Sequence, residues 1–131
     1  MPLALRGRHA GSSGARASVV GAMDLADYQQ RSRATAIYPG AGMDLTYPAL
    51  GLCGEAGEVA EKVKKAIRDD GGILTDARRT ALAGELGDVL WYLAQLATEA
   101  RLDLDEIAEA NLAKLRSRQA RAMLQGSGDT R

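Results

Sequence analysis

The sequence predicts an all-α protein that folds as a four-helix bundle. Three observations predict this class: four segments with apolar residues at helical spacing, turn residues between them, and few strand signals. The chain contains no Phe, β-branched residues are sparse, and no alternation of apolar and polar residues is sustained. Helices with short connections pack as a bundle. A chain of 131 residues suits one domain with one core.

The first two helices are bounded by turn and proline signals. A first helix is expected over residues 24–36, and the Tyr-Pro-Gly sequence at 38–40 ends it. Pro48 fits the first turn of a second helix, where its missing N–H costs nothing. This second helix should continue to about Asp69, because Asp-Gly-Gly at 70–72 then stops it.

The last two helices begin at capping residues. Thr75 is a good N-cap for a third helix that reaches about Arg101. Asp103 with Glu106 three residues later resembles a capping box, which predicts the start of a fourth helix. The helical pattern of this fourth helix fades after Arg118.

The folded domain is expected to cover residues 23–118. Residues 1–22 show no helical periodicity and contain several glycines, so we interpret them as a flexible leader. Residues 119–131 are interpreted as a C-terminal tail.

Composition excludes several classes of function. Lys+Arg 17 balance Asp+Glu 17, which argues against a nucleic-acid polymer as partner. No apolar run approaches the roughly 18 residues of a membrane span. Cys53 is the only cysteine, so a reducing cytoplasm is the simplest location. His9 is the only histidine, which makes histidine triads and histidine metal clusters poor fits. Carboxylates, lysines, arginines and hydroxyls must carry any chemistry.

Helices two and three share an arrangement of polar side chains beside their apolar stripes. Each has an acid, a second acid three residues on, and another functional side chain four residues further along the same edge. If the stripes (Leu52 to Ala66, Leu82 to Leu96) pack antiparallel, the two acid pairs face a common space. The side chains are Glu55, Glu58 and Lys62 in helix two, and Glu85, Asp88 and Tyr92 in helix three.

Four converging carboxylates would repel one another unless a cation neutralised them. Ligands that are all oxygens favour a hard ion, and Mg²⁺ suits a few carboxylates together with water and substrate phosphates. Acidic pairs at a helix edge are, however, usually just solvated. The pattern alone leaves a metal site and a solvated acidic edge equally open.

The segments Tyr47–Lys62 and Glu85–Tyr92 resemble the second and third helices of MazG-like nucleoside triphosphate pyrophosphohydrolases. The family pattern is Glu-x-x-Glu, a spacer and Glu-x-x-Asp, and both halves are present. The resemblance covers roughly residues 23–118. It implies magnesium-dependent hydrolysis of a (deoxy)nucleoside triphosphate to its monophosphate and pyrophosphate, with manganese as an alternative ion and nucleotide-pool housekeeping as a role. It also implies a homodimer or homotetramer. The implied metal ligands and catalytic residues are Glu55, Glu58, Glu85 and Asp88.

One position departs from the pattern of some relatives. Those relatives carry a glutamate as general base directly after the first ligand, where this sequence has Ala56. Glu61 is a weak substitute for this base, because it points away from the stripe. The departure keeps open a non-catalytic helical binding or regulatory module that retains the fold. A different metal-dependent phosphohydrolase, which would release orthophosphate, is a third interpretation.

Several further residues are candidates for substrate binding. Asn111 lies within the apolar stripe of helix four, where a buried amide either binds substrate or ties helices together. The resemblance makes Lys114, beside Asn111, a candidate for a phosphate contact. Lys62 is a second candidate, and a solvated surface lysine is the alternative. Tyr92 either stacks on the base or sugar or packs in the core.

Four other residues receive minor assignments. Gln29 in helix one is a candidate for base recognition. Lys65 is better explained as a lysine on a solvated helix face. Trp91 is expected at an oligomer interface, and Cys53 is expected in the core.

Overall fold

The computed structural model describes residues 21–121, and this part of the chain folds into four α-helices without a strand. Helix α1 spans Leu25–Ser32 and continues as a 3₁₀ turn over Arg33–Thr35. Helix α2 spans Thr46–Asp69, α3 spans Asp76–Glu99 and α4 spans Leu104–Ala120. The all-α prediction is confirmed. The predicted leader and tail lie outside the described residues, apart from positions 21–22 and 119–121. No helix in the described part could cross a membrane.

Helices α1, α3 and α4 begin where capping side chains satisfy free backbone N–H groups. Thr75 accepts a hydrogen bond from the N–H of Arg78, and Asp103 accepts from the N–H groups of Asp105 and Glu106. Asp24 caps α1 in the same way. Such caps typically contribute about 1 kcal/mol each. The predicted starts of helices one, three and four are thus confirmed.

Helices α2 and α3 pack antiparallel as the largest contact of the described fold. Lys62 in α2 pairs with Glu85 near the middle of α3, while Gly51 near the start of α2 meets Tyr92 further along α3. Each helix has 24 residues, which is about 36 Å of length. The antiparallel packing that would let the two acid pairs face a common space is therefore present.

One face of α3 carries a row of polar side chains. Its side chains recur at intervals of three and four residues, and hence lie on one side of the helix. In the predicted apolar stripe, by contrast, Leu86 is 50% and Leu93 is 38% exposed. The expectation that the stripe forms the contact is wrong for these two leucines. The polar face consists of Glu85, Asp88, Tyr92, Gln95 and Glu99.

A small apolar core joins α1, α3 and α4. It consists of Ala94, Ala97 and Leu104, with Leu25 and Tyr28 of α1 packed against it. Leu104 is the one buried residue of α4. Asn111 is therefore exposed, so the prediction of a buried amide is wrong within this chain. Cys53, expected in the core, is exposed as well.

The connection between α1 and α2 is held against the end of α3 by Glu99. The side chain of Glu99 is 3% exposed, and its carboxylate accepts hydrogen bonds from Arg33 at 2.8 Å and from the Tyr38 hydroxyl at 2.5 Å. Both carboxylate oxygens lie 2.9 Å from the backbone nitrogen of Gly42, whose φ of 82° suits glycine. Burial alone would raise the pKa of Glu99, but these donors outweigh it and hold the pKa below the usual range.

Candidate metal centre and adjoining aromatic pocket

Three carboxylates from two helices converge between α2 and α3. One oxygen each from Glu55, Glu85 and Asp88 lies within 4.8 Å of the others. Glu55 and Glu85 are half-buried, whereas Asp88 is exposed. Glu58, one turn further along α2, is exposed and lies outside this group. The structure thus brings together three of the four acids that the sequence singled out.

The negative charge of Glu55 is destabilised by its surroundings in this group. The pKa of Glu55 is raised, first by burial and then by the negative charges of Asp88, Glu85 and Glu58. Half-buried carboxylates that repel one another favour a cation between them. The donor set contains only oxygens, which fits a hard divalent ion such as Mg²⁺.

Lys62 lies at the edge of the carboxylate group. Its Nζ is 2.8 Å from Glu85 Oε1, and this hydrogen bond raises the pKa of Lys62 more than burial lowers it. Lys65, three residues on, pairs instead with Glu61 at 3.3 Å. Lys65 and Lys64 lower the pKa of Glu61, so Glu61 is a poor candidate for a general base.

An aromatic pocket adjoins the carboxylates through Tyr92. Burial raises the pKa of Tyr92 most, and interactions with Tyr47, Glu55 and Asp88 raise it further. Tyr47 stacks on Tyr38 with ring centroids 5.1 Å apart. The pocket has a volume of about 300 Å³. Its lining residues are Thr35, Ile37, Tyr38, Pro39, Tyr47, Trp91 and Tyr92.

Trp91 contributes to this pocket within the chain. Its ring stands edge-on to Tyr38 and Tyr92, and its Nε1 donates a hydrogen bond to Thr35 Oγ1 at 2.8 Å. The oligomer interface that the sequence suggested for Trp91 stays a prediction.

Sequence reasoning missed three tyrosines of this region. Tyr38 and Tyr47 line the pocket, and Tyr28 of α1 lies close enough to Asp88 for that charge to help raise its pKa, after burial. The sequence contains four tyrosines, one tryptophan and no phenylalanine. Four of these five aromatic side chains line the pocket, and the fifth, Tyr28, interacts with Asp88. The scarcity of aromatic residues is the signal that could have drawn attention to them.

Comparison with known proteins supports the resemblance seen in the sequence. A model of the MazG nucleotide pyrophosphohydrolase domain matches residues 46–122, more than half of the chain. The chain belongs to the MazG family. It is also 50% identical over 109 residues to the Gene 37 protein of Mycobacterium phage L5, an alignment that covers 79% of this chain and 96% of the phage protein. No solved structure matches the chain.

The MazG match covers α2, α3 and α4, and hence all four acids, whereas α1 precedes it. In α1, the amide of Gln29 donates to Thr98 and to the carbonyl of Leu102, and accepts from the N–H of Leu104. Thr98 is ten residues beyond Asp88, which is about 15 Å along the helix. Gln29 therefore joins α1 to the α3–α4 turn.

Two further candidates of the MazG domain lie on α4. Asn111 and Lys114 are both exposed and line a shallow cavity of about 330 Å³ with Ile107 and Ala110. Neither belongs to the group of converging carboxylates.

Proposed function

We propose that this MazG domain hydrolyses a nucleoside triphosphate to its monophosphate and pyrophosphate, with Mg²⁺ as the ion and Mn²⁺ as the alternative. Water adds to the α-phosphorus, the bond from that phosphorus to the α–β bridging oxygen breaks, and pyrophosphate leaves. The observation that carries the proposal is the oxygen-only group of Glu55, Glu85 and Asp88 inside the segment that matches the family. Housekeeping of the nucleotide pool is the corresponding biological role.

The four acids have a common role in this proposal. Glu55, Glu85 and Asp88 would hold the ion, and Glu58 would join them because it lies on the same edge of α2, one turn away, and already acts on the charge of Glu55. A bound magnesium ion would neutralise phosphate charge and acidify the attacking water. Lys62 would contact phosphate oxygens, since its ammonium lies beside Glu85.

The aromatic pocket is proposed to receive the nucleobase. Its volume of about 300 Å³ is at the lower end of the range for small-molecule sites. Tyr92 connects the two parts of the site, because it lines the pocket and follows Asp88 by one helical turn. A nucleotide with its phosphates at the carboxylates would thus bring its base to a wall of aromatic rings, on which bases stack well.

Uncovered apolar side chains support a homodimer or homotetramer. Five large apolar residues of α3 and α4 are at least 38% exposed in the single chain, which is typical of a surface that another subunit covers. Asn111 and Lys114 lie on the same helix as three of them. In the proposed assembly these two side chains would reach the substrate of a neighbouring subunit. The apolar residues are Leu86, Leu93, Ile107, Leu112 and Leu115.

The proposal is tested by pyrophosphate release from a panel of ribo- and deoxynucleoside triphosphates, with and without Mg²⁺. The intact protein is compared with Glu85→Ala and with Glu61→Ala as the matched control. Glu61 is an acid of the same type on α2, but it pairs with Lys64 and Lys65 outside the carboxylate group. We expect metal-dependent release that Glu85→Ala abolishes and Glu61→Ala retains.

Two other outcomes would replace the proposal. Release of orthophosphate would assign the protein to a different class of phosphohydrolase. If the intact protein and Glu85→Ala are both folded and neither turns over any nucleotide, the non-catalytic module is favoured.

A further inference from the structure

A lysine already occupies one side of the carboxylate group. Lys62 Nζ lies 2.8 Å from Glu85 Oε1, and both side chains are largely withdrawn from solvent, at 23% and 19% exposure. Because the ligand oxygens of Glu55, Glu85 and Asp88 lie within 4.8 Å of one another, the ammonium is close to a concentrated negative charge. A charge-assisted hydrogen bond of this length is among the stronger contacts between side chains.

We propose that Lys62 is the resident counter-ion of the carboxylate group. The ammonium of Lys62 competes with a divalent cation for Glu85 and becomes available to phosphate once that cation binds. This inference rests on the proposed function, because it takes the same carboxylates as the metal site. It adds that Lys62 sets the affinity of the site for metal.

The competition follows from charge and geometry. A carboxylate oxygen engaged by an ammonium at 2.8 Å is less available to a divalent cation, and the two positive charges repel each other at such separations. Lysine has a flexible four-carbon stem and a compact charge, so it can leave Glu85 without moving the helices. A nearby triphosphate is then a natural partner for the released ammonium.

The inference makes a prediction that an ordinary structural salt bridge does not. If Lys62 only joins α2 to α3, its removal weakens the fold and leaves metal binding unchanged or weaker. If Lys62 competes with the cation, its removal strengthens metal binding.

The chain offers a matched control in Lys65. It carries the same charge on the same helix, three residues further on, and pairs with Glu61 at 3.3 Å outside the carboxylate group. Lys62→Met and Lys65→Met therefore change the net charge equally, and only the first removes the contact with Glu85. Lys62→Arg keeps the charge and serves as a second control.

The experiment is isothermal titration of the full chain with Mn²⁺ alone, without nucleotide, at low ionic strength. We expect Lys62→Met to bind Mn²⁺ about ten-fold more tightly than the intact protein, which corresponds to about 1.4 kcal/mol. Lys65→Met and Lys62→Arg should stay within about two-fold of the intact protein. Thermal unfolding gives a second readout: Lys62→Met should lower the Tm of the metal-free protein more than that of the Mn²⁺-saturated protein.

The outcomes separate the two proposals. Saturable Mn²⁺ binding by the intact protein that is unchanged or weaker in Lys62→Met overturns the inference about Lys62 and leaves the metal site standing. No saturable binding by the intact protein or by any of the three variants overturns the metal site and the counter-ion together. Circular dichroism of each variant shows that the comparison is made between folded proteins.

Discussion

The ring of Tyr92 lies so close to the backbone of Gly51 that this position has no room for a side chain. A Cβ built on Gly51 would overlap three carbon atoms of the ring. The contact joins α2 to α3 one turn away from both Glu55 and Asp88. It fixes where Tyr92 stands between the carboxylates and the aromatic pocket.

Replacing Gly51 with alanine should therefore move Tyr92. We expect Gly51→Ala to lower kcat/KM about ten-fold and to lower the free energy of unfolding by about 1–3 kcal/mol, the usual cost of overpacking. Alanine is otherwise the better residue in a helix. Urea denaturation and steady-state pyrophosphate release measure the two effects.

Gly54 provides the control on the same helix. A Cβ there meets nothing within 4 Å. Gly54→Ala should keep full activity and raise the free energy of unfolding by about 0.5–1 kcal/mol through helix propensity. Equal behaviour of the two variants would show that the Tyr92 contact does not constrain the site.

The buried carboxylate of Glu99 should be a main source of stability. Glu99→Gln removes the charge that accepts from Arg33, Tyr38 and the N–H of Gly42. We expect the free energy of unfolding at pH 7 to fall by about 2–3 kcal/mol, as for hydrogen bonds to a charged group. Denaturation of both proteins in urea measures the difference.

The same pair of proteins should respond differently to pH. The pKa of Glu99 is lowered in the folded state. Its contribution to the free energy of unfolding is therefore complete above the unfolded pKa of about 4.3, and it is lost as the pH falls through the lower folded pKa. The stability difference between the intact protein and Glu99→Gln should thus shrink on acidification below about pH 4. A difference that stays constant from pH 7 to pH 3 would contradict this account.

Gln29 should act on stability and leave nucleotide choice unchanged. Its amide makes three hydrogen bonds that join α1 to the end of α3 and the start of α4. Gln29→Ala leaves the N–H of Leu104 without this acceptor, so we expect a loss of about 1–3 kcal/mol in the free energy of unfolding. The order of preferred nucleotides should remain that of the intact protein. A changed order, measured by kcat/KM across the panel, would instead support the role in base recognition suggested by the sequence.

Local signals in the sequence were sufficient to predict the helices and the matching phase of the acids on two of them. Thr75 and Asp103 begin helices because their side chains bond backbone groups two or three residues away, which is a local effect. The matching phase of the acids on α2 and α3 likewise follows from helical geometry alone. These features depend on few contacts between distant parts of the chain.

The interior face of α3 could not be predicted in this way. Hydrophobicity assigned Leu86 and Leu93 to the contact, yet Gln95 is fully buried and Glu99 nearly so. Gln95 bonds to Ser32 and to Arg33, residues more than 60 positions earlier. Burial of these polar groups is tolerated because α1 and the following loop supply their partners. Partners so remote in sequence leave no periodic signal.

The single tryptophan offers a direct test of the nucleobase pocket. Trp91 is the only tryptophan of the chain and stands edge-on to Tyr38 and Tyr92, with ring centroids 6.0 and 5.0 Å away. A base that enters the pocket changes the surroundings of the indole, so its fluorescence should change saturably on titration with a nucleoside monophosphate. Pyrophosphate, which has no base, is the matched control and should leave the signal unchanged.

The Tyr92→Leu variant tests whether that signal comes from stacking. Loss of the ring should weaken the apparent affinity for the monophosphate about ten-fold, since aromatic stacking on a base contributes about 1–3 kcal/mol. An equal response to pyrophosphate and to the monophosphate would mean that Trp91 reports phosphate binding. A nucleotide that binds by calorimetry without any fluorescence change would place the base elsewhere.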